Sequence, residues 1–302
     1  MKNALLDGLN VAERTEALLG EGPAWDSDRH LLLWVDVTNR LVHQWNPATG
    51  EDEGLAIDHF PTAVAPWKPG HLALAGAMGF GDLDLAAGSV HVLAGVDGVE
   101  PRSHLNDARC DAAGRYWGGT IAYDLSPGAG KLYRLDPDGS LHVVLEGLTI
   151  SNGLGWSPDN RVMYLVDSFA ALYAFDFDLE RGRIARRRPL VQVSASEGVM
   201  DGMTVDEEGY LWVAMFGGGS VRRYAPDGRL VSEITLPVTH PTSCVFGGTT
   251  LADLYITSAR QDQHGPMDEA RLAKQPLAGS VFHLRPGVAG MQTHAYGAGV
   301  TP

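Results

Sequence analysis

Four side chains that carry carboxylate or carboxamide oxygens stand in short, turn-prone contexts far apart in the sequence: Glu21, Asn106, Asn152 and Asp201. If a fold brought them together, two carboxylates and two amides would repel one another or lack hydrogen-bond partners. A bound cation removes both costs, and oxygen ligands favour a hard divalent ion such as Ca²⁺, Mg²⁺ or Mn²⁺, although carboxylates also bind Zn²⁺. The alternative is that the Asx-Gly pairs only form turns and that Glu21 lies in a solvated loop.

A six-fold repeat predicts how these residues meet. Each repeat has an apolar residue before a polar turn, and these anchors lie 41 to 49 residues apart: Trp25, Trp67, Cys110, Trp156, Val205 and Phe246. Runs rich in aromatic and branched residues follow the turns, and most close on Pro-Gly or Asp-Gly pairs typical of hairpins. Four short antiparallel strands per repeat indicate an all-β, six-bladed β-propeller. A β-sandwich, the competing all-β fold, does not explain a six-fold register.

The whole chain, residues 1–302, is predicted to form this single propeller domain, because six repeats of about 50 residues leave no room for another. A propeller must close its ring. The segment from Thr15 to Leu19, ahead of the first repeat, is expected to pair into the last blade, and the segment from Thr293 to Tyr296 is the alternative.

The repeat places the polar residues at one phase. The first strand of a blade faces the central channel, so equivalent positions near its start converge on the axis. Four residues before the anchors stand Glu21, Ala63, Asn106, Asn152, Asp201 and Thr242. Four oxygen-bearing residues at this phase favour one shared site over four unrelated turns. Asp107 is a further axial candidate, with a plain turn as the alternative, and His104 and His240 are candidates for the mouth of the channel.

Composition and charge exclude several classes of function. Lys and Arg number 23 and Asp and Glu 37, and the resulting net charge of −14 repels nucleic acid and anionic membranes at long range. Cys110 and Cys244 are too few for a disulfide framework and form no C-x-x-C pair. No stretch has the pattern of a signal peptide or the length of a membrane span, so a cytoplasmic location is expected. The oligomeric state stays open.

Other motifs that could carry chemistry are not supported. Ser220 follows three glycines but is not in a nucleophile elbow, and the glycines between Gly76 and Gly81 do not have the spacing of a dinucleotide-binding loop. The arginines between residues 181 and 188 are interpreted as a solvated hairpin.

Five stretches carry a distinctive combination of residues: Leu-Gly-Glu21-Gly-Pro-Ala-Trp25, Leu105-Asn106-Asp107, Ile150-Ser-Asn152-Gly-Leu-Gly-Trp156, Asp201-Gly-Met-Thr-Val-Asp206 and Thr242-Ser-Cys-Val-Phe-Gly-Gly248. In this order, from about Leu19 to Tyr296, the chain resembles the senescence-marker-protein, gluconolactonase and luciferin-regenerating-enzyme family. Its members are six-bladed propellers, many of which hydrolyse sugar lactones with one divalent cation on the axis. The resemblance implies that Glu21, Asn152 and Asp201 bind the metal, that Asp201 is also the general base, and that Asn106 contacts the substrate.

Three departures from the family pattern bear on the substrate. His104 stands where sugar-lactonase members often have Arg, Tyr123-Asp124 replaces an acidic pair, and Met200 precedes Asp201 where Pro is usual. Together with Asn106 and the axial candidate Asp107, the departures at His104 and Asp124 complete the set of expected substrate-binding residues.

The leading hypothesis is a metal-dependent carboxylic-ester hydrolase that opens a small lactone, with a sugar-type lactone of carbohydrate metabolism as the expected substrate. Asp201 would take a proton from the attacking water, and Asn106 would donate a hydrogen bond to a substrate oxygen. One alternative is a phosphotriesterase-type hydrolase on the same metal centre. Another is a non-catalytic binding propeller whose ion only joins the blades, although the polar residues crowded on one face argue against a purely structural ion.

Overall fold

The computed structural model of the protein describes residues 8–96 and 102–298. Six four-stranded antiparallel sheets form the blades of a propeller, and the first strands of neighbouring blades contact each other around a closed ring. The predicted six-bladed, all-β fold is confirmed.

The strands follow one another from the axis outwards in five of the blades. Blades 1 and 2 comprise Gly20–Asp26, Leu31–Asp36, Leu41–Trp45, Asp52–Ala56, and Pro61–Pro66, His71–Gly76, Gly79–Asp84, Ser89–Ala94. Blades 3 and 4 comprise Ser103–Cys110, Tyr116–Ala122, Gly130–Leu135, Leu141–Leu148, and Ser151–Trp156, Val162–Asp167, Ala171–Asp178, Arg183–Val191. Blade 5 comprises Val199–Val205, Leu211–Phe216, Ser220–Tyr224 and Leu230–Thr235.

Blade 6 closes the ring with a strand from the start of the chain. Its strands, from the axis outwards, are Pro241–Gly247, Asp253–Ser258, Val281–Leu284 and Asn10–Glu13. The ring is closed by the strand Asn10–Glu13 and not by the expected segment from Thr15 to Leu19, of which only Leu19 pairs with blade 6, in an isolated bridge with Ala259 just after the second strand. That segment carries the chain from the outer edge of blade 6 to the first strand of blade 1, and the backbone carbonyls of Ala17 and Leu18 accept hydrogen bonds from Arg260 N–H on the way.

The alternative closing segment near the C-terminus also forms no strand. It crosses the end of the propeller opposite the starts of the inner strands: Thr293 Oγ1 accepts a hydrogen bond from the backbone N–H of Trp25, and the N–H of Tyr296 donates to Pro66. Residues 293–296 thus pack under blades 1 and 2 and do not close the ring.

The repeat anchors mark the junctions between blades. Trp25, Cys110, Trp156, Val205 and Phe246 are buried, and each packs in an apolar cluster that joins its own blade to the preceding one. Each blade must bury an apolar face against its neighbour, which explains why an apolar residue recurs at this phase. Cys110 and Cys244 are unpaired and buried.

Blade 6 also carries the longest connection between its second and third strands. It contains the two-residue strands Gln261–Asp262 and Gly265–Pro266 and the α-helix Glu269–Lys274, whose first turn is capped by Asp268. No helix among the described residues has the length and apolar character needed to cross a membrane.

Candidate functional site

A break in strand register aims the polar side chains at the axis. In blades 1, 3, 4 and 5 the pairing of the first strand with the second shifts at or beside Glu21, Asn106, Asn152 and Asp201. A β-bulge of this kind releases a residue from the in-and-out alternation of the strand and redirects its side chain. Blades 2 and 6 show the same shift near Ala63 and Thr242, so the bulge is a feature of all six blades. Which blades place a polar side chain in the channel therefore depends on the residue type at this position.

The glycines that follow Glu21 and Asp201 in the sequence let neighbouring inner strands approach each other closely. Gly22 has a φ of +52°, and a Cβ there would lie 2.5 Å from Cα of Ala63 in blade 2. A Cβ at Gly202 would collide with the side chain of Ser243 in blade 6. The Glu21-Gly and Asp201-Gly pairs therefore narrow the ring at the level of the carboxylates, in addition to shaping the bulge.

The structure brings Glu21, Asn106, Asn152 and Asp201 to one cavity of about 190 Å³, as the repeat phase predicts. Ala63 and Thr242, at the same phase, do not line it. Thr242 Oγ1 instead donates a hydrogen bond to the carbonyl of Gly20. The rest of the wall consists of Leu19, Ile150, Ser168, Phe169, Val199, Phe216, Gln261, Asp262 and Gln263.

Hydrogen bonds fix the orientation of both amides. Asn106 Nδ2 donates to the carbonyl of Ser151 and to Asn152 Oδ1, each at 3.0 Å, and Asn152 Nδ2 donates to Ser168 Oγ at 2.8 Å. Both amide hydrogens of Asn106 are thus committed within the protein. What Asn106 offers the cavity is its carbonyl oxygen, so the expected hydrogen-bond donation to substrate does not fit this arrangement.

The carboxylates carry an electrostatic cost. Burial raises the pKa of Glu21 well above its usual value, and the charges of Asp201 and Asp107 add to the shift. Burial and the charge of Asp107 likewise raise the pKa of Asp201. No ion pair involves Glu21, Asp107 or Asp201 in the part of the chain that the structure describes.

This donor set fits a divalent cation. Two carboxylates without a cationic partner and two oriented amide oxygens would be stabilised by one positive ion in the cavity. Glu21, Asn152 and Asp201 could hold such an ion, and Asn106 lines the same cavity.

The remaining sequence-predicted residues do not line the cavity. Asp107 is buried, and its Oδ1 accepts a hydrogen bond from the N–H of Ala108 at 2.7 Å. His104 is half-buried, with Nδ1 at 2.8 Å from the carbonyl of Leu105 and its ring 5.1 Å from that of Tyr123. Burial lowers the pKa of His104, which keeps its imidazole neutral at physiological pH.

Asp124 and His240 make no direct contribution to the cavity wall. Asp124 is exposed in a turn and accepts a hydrogen bond from the N–H of Ser126. His240 is buried behind the cavity wall, with its ring 4.4 Å from that of Phe216.

Sequence reasoning missed the wall residues Ser168, Phe169, Phe216, Gln261 and Gln263. They come from the ends of second strands, or from the connections that follow, in blades 4, 5 and 6. In an antiparallel pair the end of the second strand lies beside the start of the first, so these connections surround the axial residues. That rule predicts which segments form the wall, but these connections share no repeated residue types that would identify the side chains.

Comparisons with known proteins agree with this architecture. Residues 19–260 match the profile of the SMP-30/Gluconolactonase/LRE-like region. Regucalcin from Gallus gallus is 38% identical over 273 residues, covering 88% of this chain and 90% of that protein. The crystal structure of a calcium-binding protein, regucalcin, from Agrobacterium tumefaciens superposes with a TM-score of 0.89 at 28% identity, over 96% of this chain and 97% of the other. A gluconolactonase from Xanthomonas campestris has a TM-score of 0.74 at 26% identity, over 93% and 90%.

Proposed function

The chain belongs to the SMP-30/gluconolactonase/LRE-like family, and from this premise we propose that it is a divalent-metal-dependent hydrolase that opens a small, sugar-type lactone. The observation that carries the proposal is the convergence of two carboxylates, those of the half-buried Glu21 and the buried Asp201, and two amide oxygens on an open cavity with no cationic side chain paired to the carboxylates. The gluconolactonase likeness supports the reaction, and the calcium-binding relative supports the cation. We also propose that the whole chain is one domain.

Glu21, Asn152 and Asp201 would hold the cation, which when bound supplies positive charge that offsets the carboxylates and polarises the lactone carbonyl. Asp201 would accept a proton from the attacking water as the new C–O bond forms. The same proton then passes to the ring oxygen as the ring C–O bond breaks, giving a carboxylic acid and an alcohol. Asn106, whose amide hydrogens are already donated, would accept a hydrogen bond from a substrate hydroxyl.

The rim of the cavity suits a neutral, hydroxylated ring. Phe169, which is 59% exposed, and Phe216 offer aromatic faces to C–H groups, while Gln261 and Gln263 offer amides to hydroxyls. No Lys or Arg lines the cavity among the described residues. A sugar lactone without a negative charge therefore fits better than an anionic one.

The direct test is a hydrolysis screen with a pH indicator. Glucono-δ-lactone, an aliphatic lactone and a phosphotriester would each be offered to the protein after chelation and after addition of Ca²⁺, Mn²⁺ or Zn²⁺. We expect lactone hydrolysis that is lost with chelator and restored by metal. Metal that raises Tm without hydrolysis of any substrate would indicate a binding propeller, and preference for the phosphotriester would identify the other hydrolase.

His104→Arg tests whether this position selects the substrate. Arg would add a permanent cation and a rigid fork of hydrogen-bond donors on the strand that carries Asn106, where His is neutral and already bonded to Leu105. We expect kcat/KM for glucono-δ-lactone to rise relative to that for an aliphatic lactone.

The control for this substitution is Asp124→Asn, because Asp124 is exposed in a turn, whereas His104 lies on the strand that carries Asn106. Its ratio of kcat/KM values should stay at that of the parent. An equal ratio in His104→Arg would remove His104 from substrate recognition.

A further inference from the structure

A second group of potential ligands lies at the ring closure, on outer strands away from the axis. Glu13, His43 and Asp52 each bring one ligand atom to within 4.8 Å of the others. Glu13 ends the closing strand of blade 6, whereas His43 and Asp52 lie on the third and fourth strands of blade 1. These three residues, the closure triad, therefore span the junction between the first and last blades.

The closing strand is shaped to present Glu13. Its pairing with the third strand of blade 6 shifts between Val11 and Glu13, which redirects the Glu13 side chain from the regular alternation. Trp34 Nε1 donates to Glu13 Oε2 at 3.2 Å, and the Trp34 ring stacks on that of His43 with centroids 3.8 Å apart and planes 5° apart. One tryptophan thus orients both the carboxylate and the imidazole.

His43 and Asp52 complete the geometry. His43 Nδ1 lies 2.6 Å from Asp52 Oδ2. The His43 side chain is 9% exposed and that of Asp52 is 21% exposed, so the group is anchored inside and open to solvent on the Asp52 side. An ion can enter from that side.

Other His–Asp pairs in the propeller show what is unusual here. In three of them the aspartate also contacts a basic side chain, which balances its charge: His71–Asp82 with Lys68, His142–Asp136 with Arg134, and His283–Asp253 with Arg285. At the closure triad the third group is a second carboxylate, and no Lys or Arg forms an ion pair with Glu13 or Asp52 in the described part of the chain. Charge balance at this place requires either a cation or a proton shared between the two carboxyl groups.

We propose that Glu13, His43 and Asp52 bind a divalent transition-metal ion that fastens the closing strand to blade 1. One imidazole nitrogen and two carboxylate oxygens are a ligand set typical of Zn²⁺, with water completing four-fold coordination. The ion takes the place of the proton between His43 Nδ1 and Asp52 and of the proton that Glu13 shares with Asp52, and both protons leave to solvent. Because the site contains imidazole, it prefers Zn²⁺ over Ca²⁺, which distinguishes it from the oxygen-only axial cavity.

The test uses the full chain with Glu21→Gln and Asp201→Asn as background, so that the axial cavity does not contribute to Zn²⁺ uptake. Equilibrium dialysis with elemental analysis should find about one Zn²⁺ per chain. At a free Zn²⁺ concentration about a hundred times the Kd, Tm should rise by about 5 °C. Hydrogen exchange of residues 10–13 should slow on addition of Zn²⁺.

Glu13→Gln and Asp52→Asn should each weaken Zn²⁺ binding by at least about 10-fold. Asp52 is partly exposed, so its variant keeps the test valid if Glu13→Gln does not fold. The matched control is His71→Gln, which alters the analogous His–Asp pair that contacts Lys68 and should leave Zn²⁺ binding unchanged. Zn²⁺ uptake equal to the background in both triad variants overturns the proposal. So does absence of uptake in the background protein, which would mean that a proton shared by Glu13 and Asp52 balances the charge.

Discussion

Asp201→Asn is expected to lower kcat for lactone hydrolysis by about 10² to 10⁴-fold, the usual effect of losing a general base. The substitution keeps the size of the side chain and leaves an oxygen to face the cation, but the amide cannot accept the proton of the attacking water. Asp201 is buried at the bulge of blade 5, where Asn fits the same space. The measurement is steady-state hydrolysis at saturating metal, with bound metal quantified in the same samples.

Asp262→Asn is the matched control for this result. Asp262 lines the same cavity, but its Oδ2 is 2.6 Å from Arg271 Nη1, an ion pair that lowers its pKa and makes it a poor base. Activity should change by less than about three-fold. If Asp201→Asn with bound metal keeps more than a tenth of the parent activity, Asp201 is not the base.

The fold and the axial residues could be predicted because every blade packs against its neighbours in the same way. An apolar anchor must be buried at every blade junction, and the residue four positions earlier then lies near the axis, as Trp25 and Glu21 show. The sequence contains no comparable repetition in the cavity wall. Phe169 and Gln263 come from connections of different length, so their place at the rim follows only from the folded chain.

The closing strand lies earlier in the sequence than predicted, because several residues are needed to cross from it to the first strand of blade 1. Crossing from the outer strand of blade 6 to the first strand of blade 1 spans at least three strand spacings, about 14 Å, and needs roughly five residues of extended chain. Residues 14–19 supply that crossing, which leaves Asn10–Glu13 for the pairing. A four-residue strand carries little pattern of its own, so the length of the connection is the better guide.

The axial position of Asn106 does not by itself determine whether the nitrogen or the oxygen of its amide faces the cavity. Its position on the axis follows from the repeat, but the direction of its amide follows from the carbonyl of Ser151, which accepts one of the hydrogens. The distinction changes Asn106 from a donor to an acceptor toward the cavity. Only the contacts of the neighbouring blade decide it.

Glu21→Gln and Asn152→Ala are expected to weaken Ca²⁺ and Mn²⁺ binding by at least about 10-fold, with activity partly restored at high metal concentration. Glu21→Gln removes one negative charge from the donor set, and Asn152→Ala removes an oxygen together with its bonds to Asn106 and Ser168. Ca²⁺ and Mn²⁺ are the ions to use, because they prefer oxygen ligands and so report the axial cavity. Titration followed by elemental analysis measures the affinity, and unchanged occupancy in both variants would rule out the axial site.

Gln261→Ala serves as the control, because Gln261 also lines the cavity, but its Oε1 already accepts a hydrogen bond from Thr38. Its metal affinity should match that of the parent.

The change in Tm caused by Glu21→Gln distinguishes a metal-binding role of Glu21 from a packing role, because the two roles predict opposite changes in the metal-free protein. Burial raises the pKa of Glu21, and without metal the repulsion from the carboxylates of Asp201 and Asp107 adds to that shift. Ionised Glu21 therefore destabilises the metal-free protein as pH rises above the usual carboxyl range, and Gln removes that penalty. At neutral pH the metal-free variant should have an equal or higher Tm than the parent, whereas added Ca²⁺ should raise its Tm less. A residue kept only for packing would lower Tm in both states, so a lower Tm with and without metal would contradict the assignment of Glu21 as a ligand.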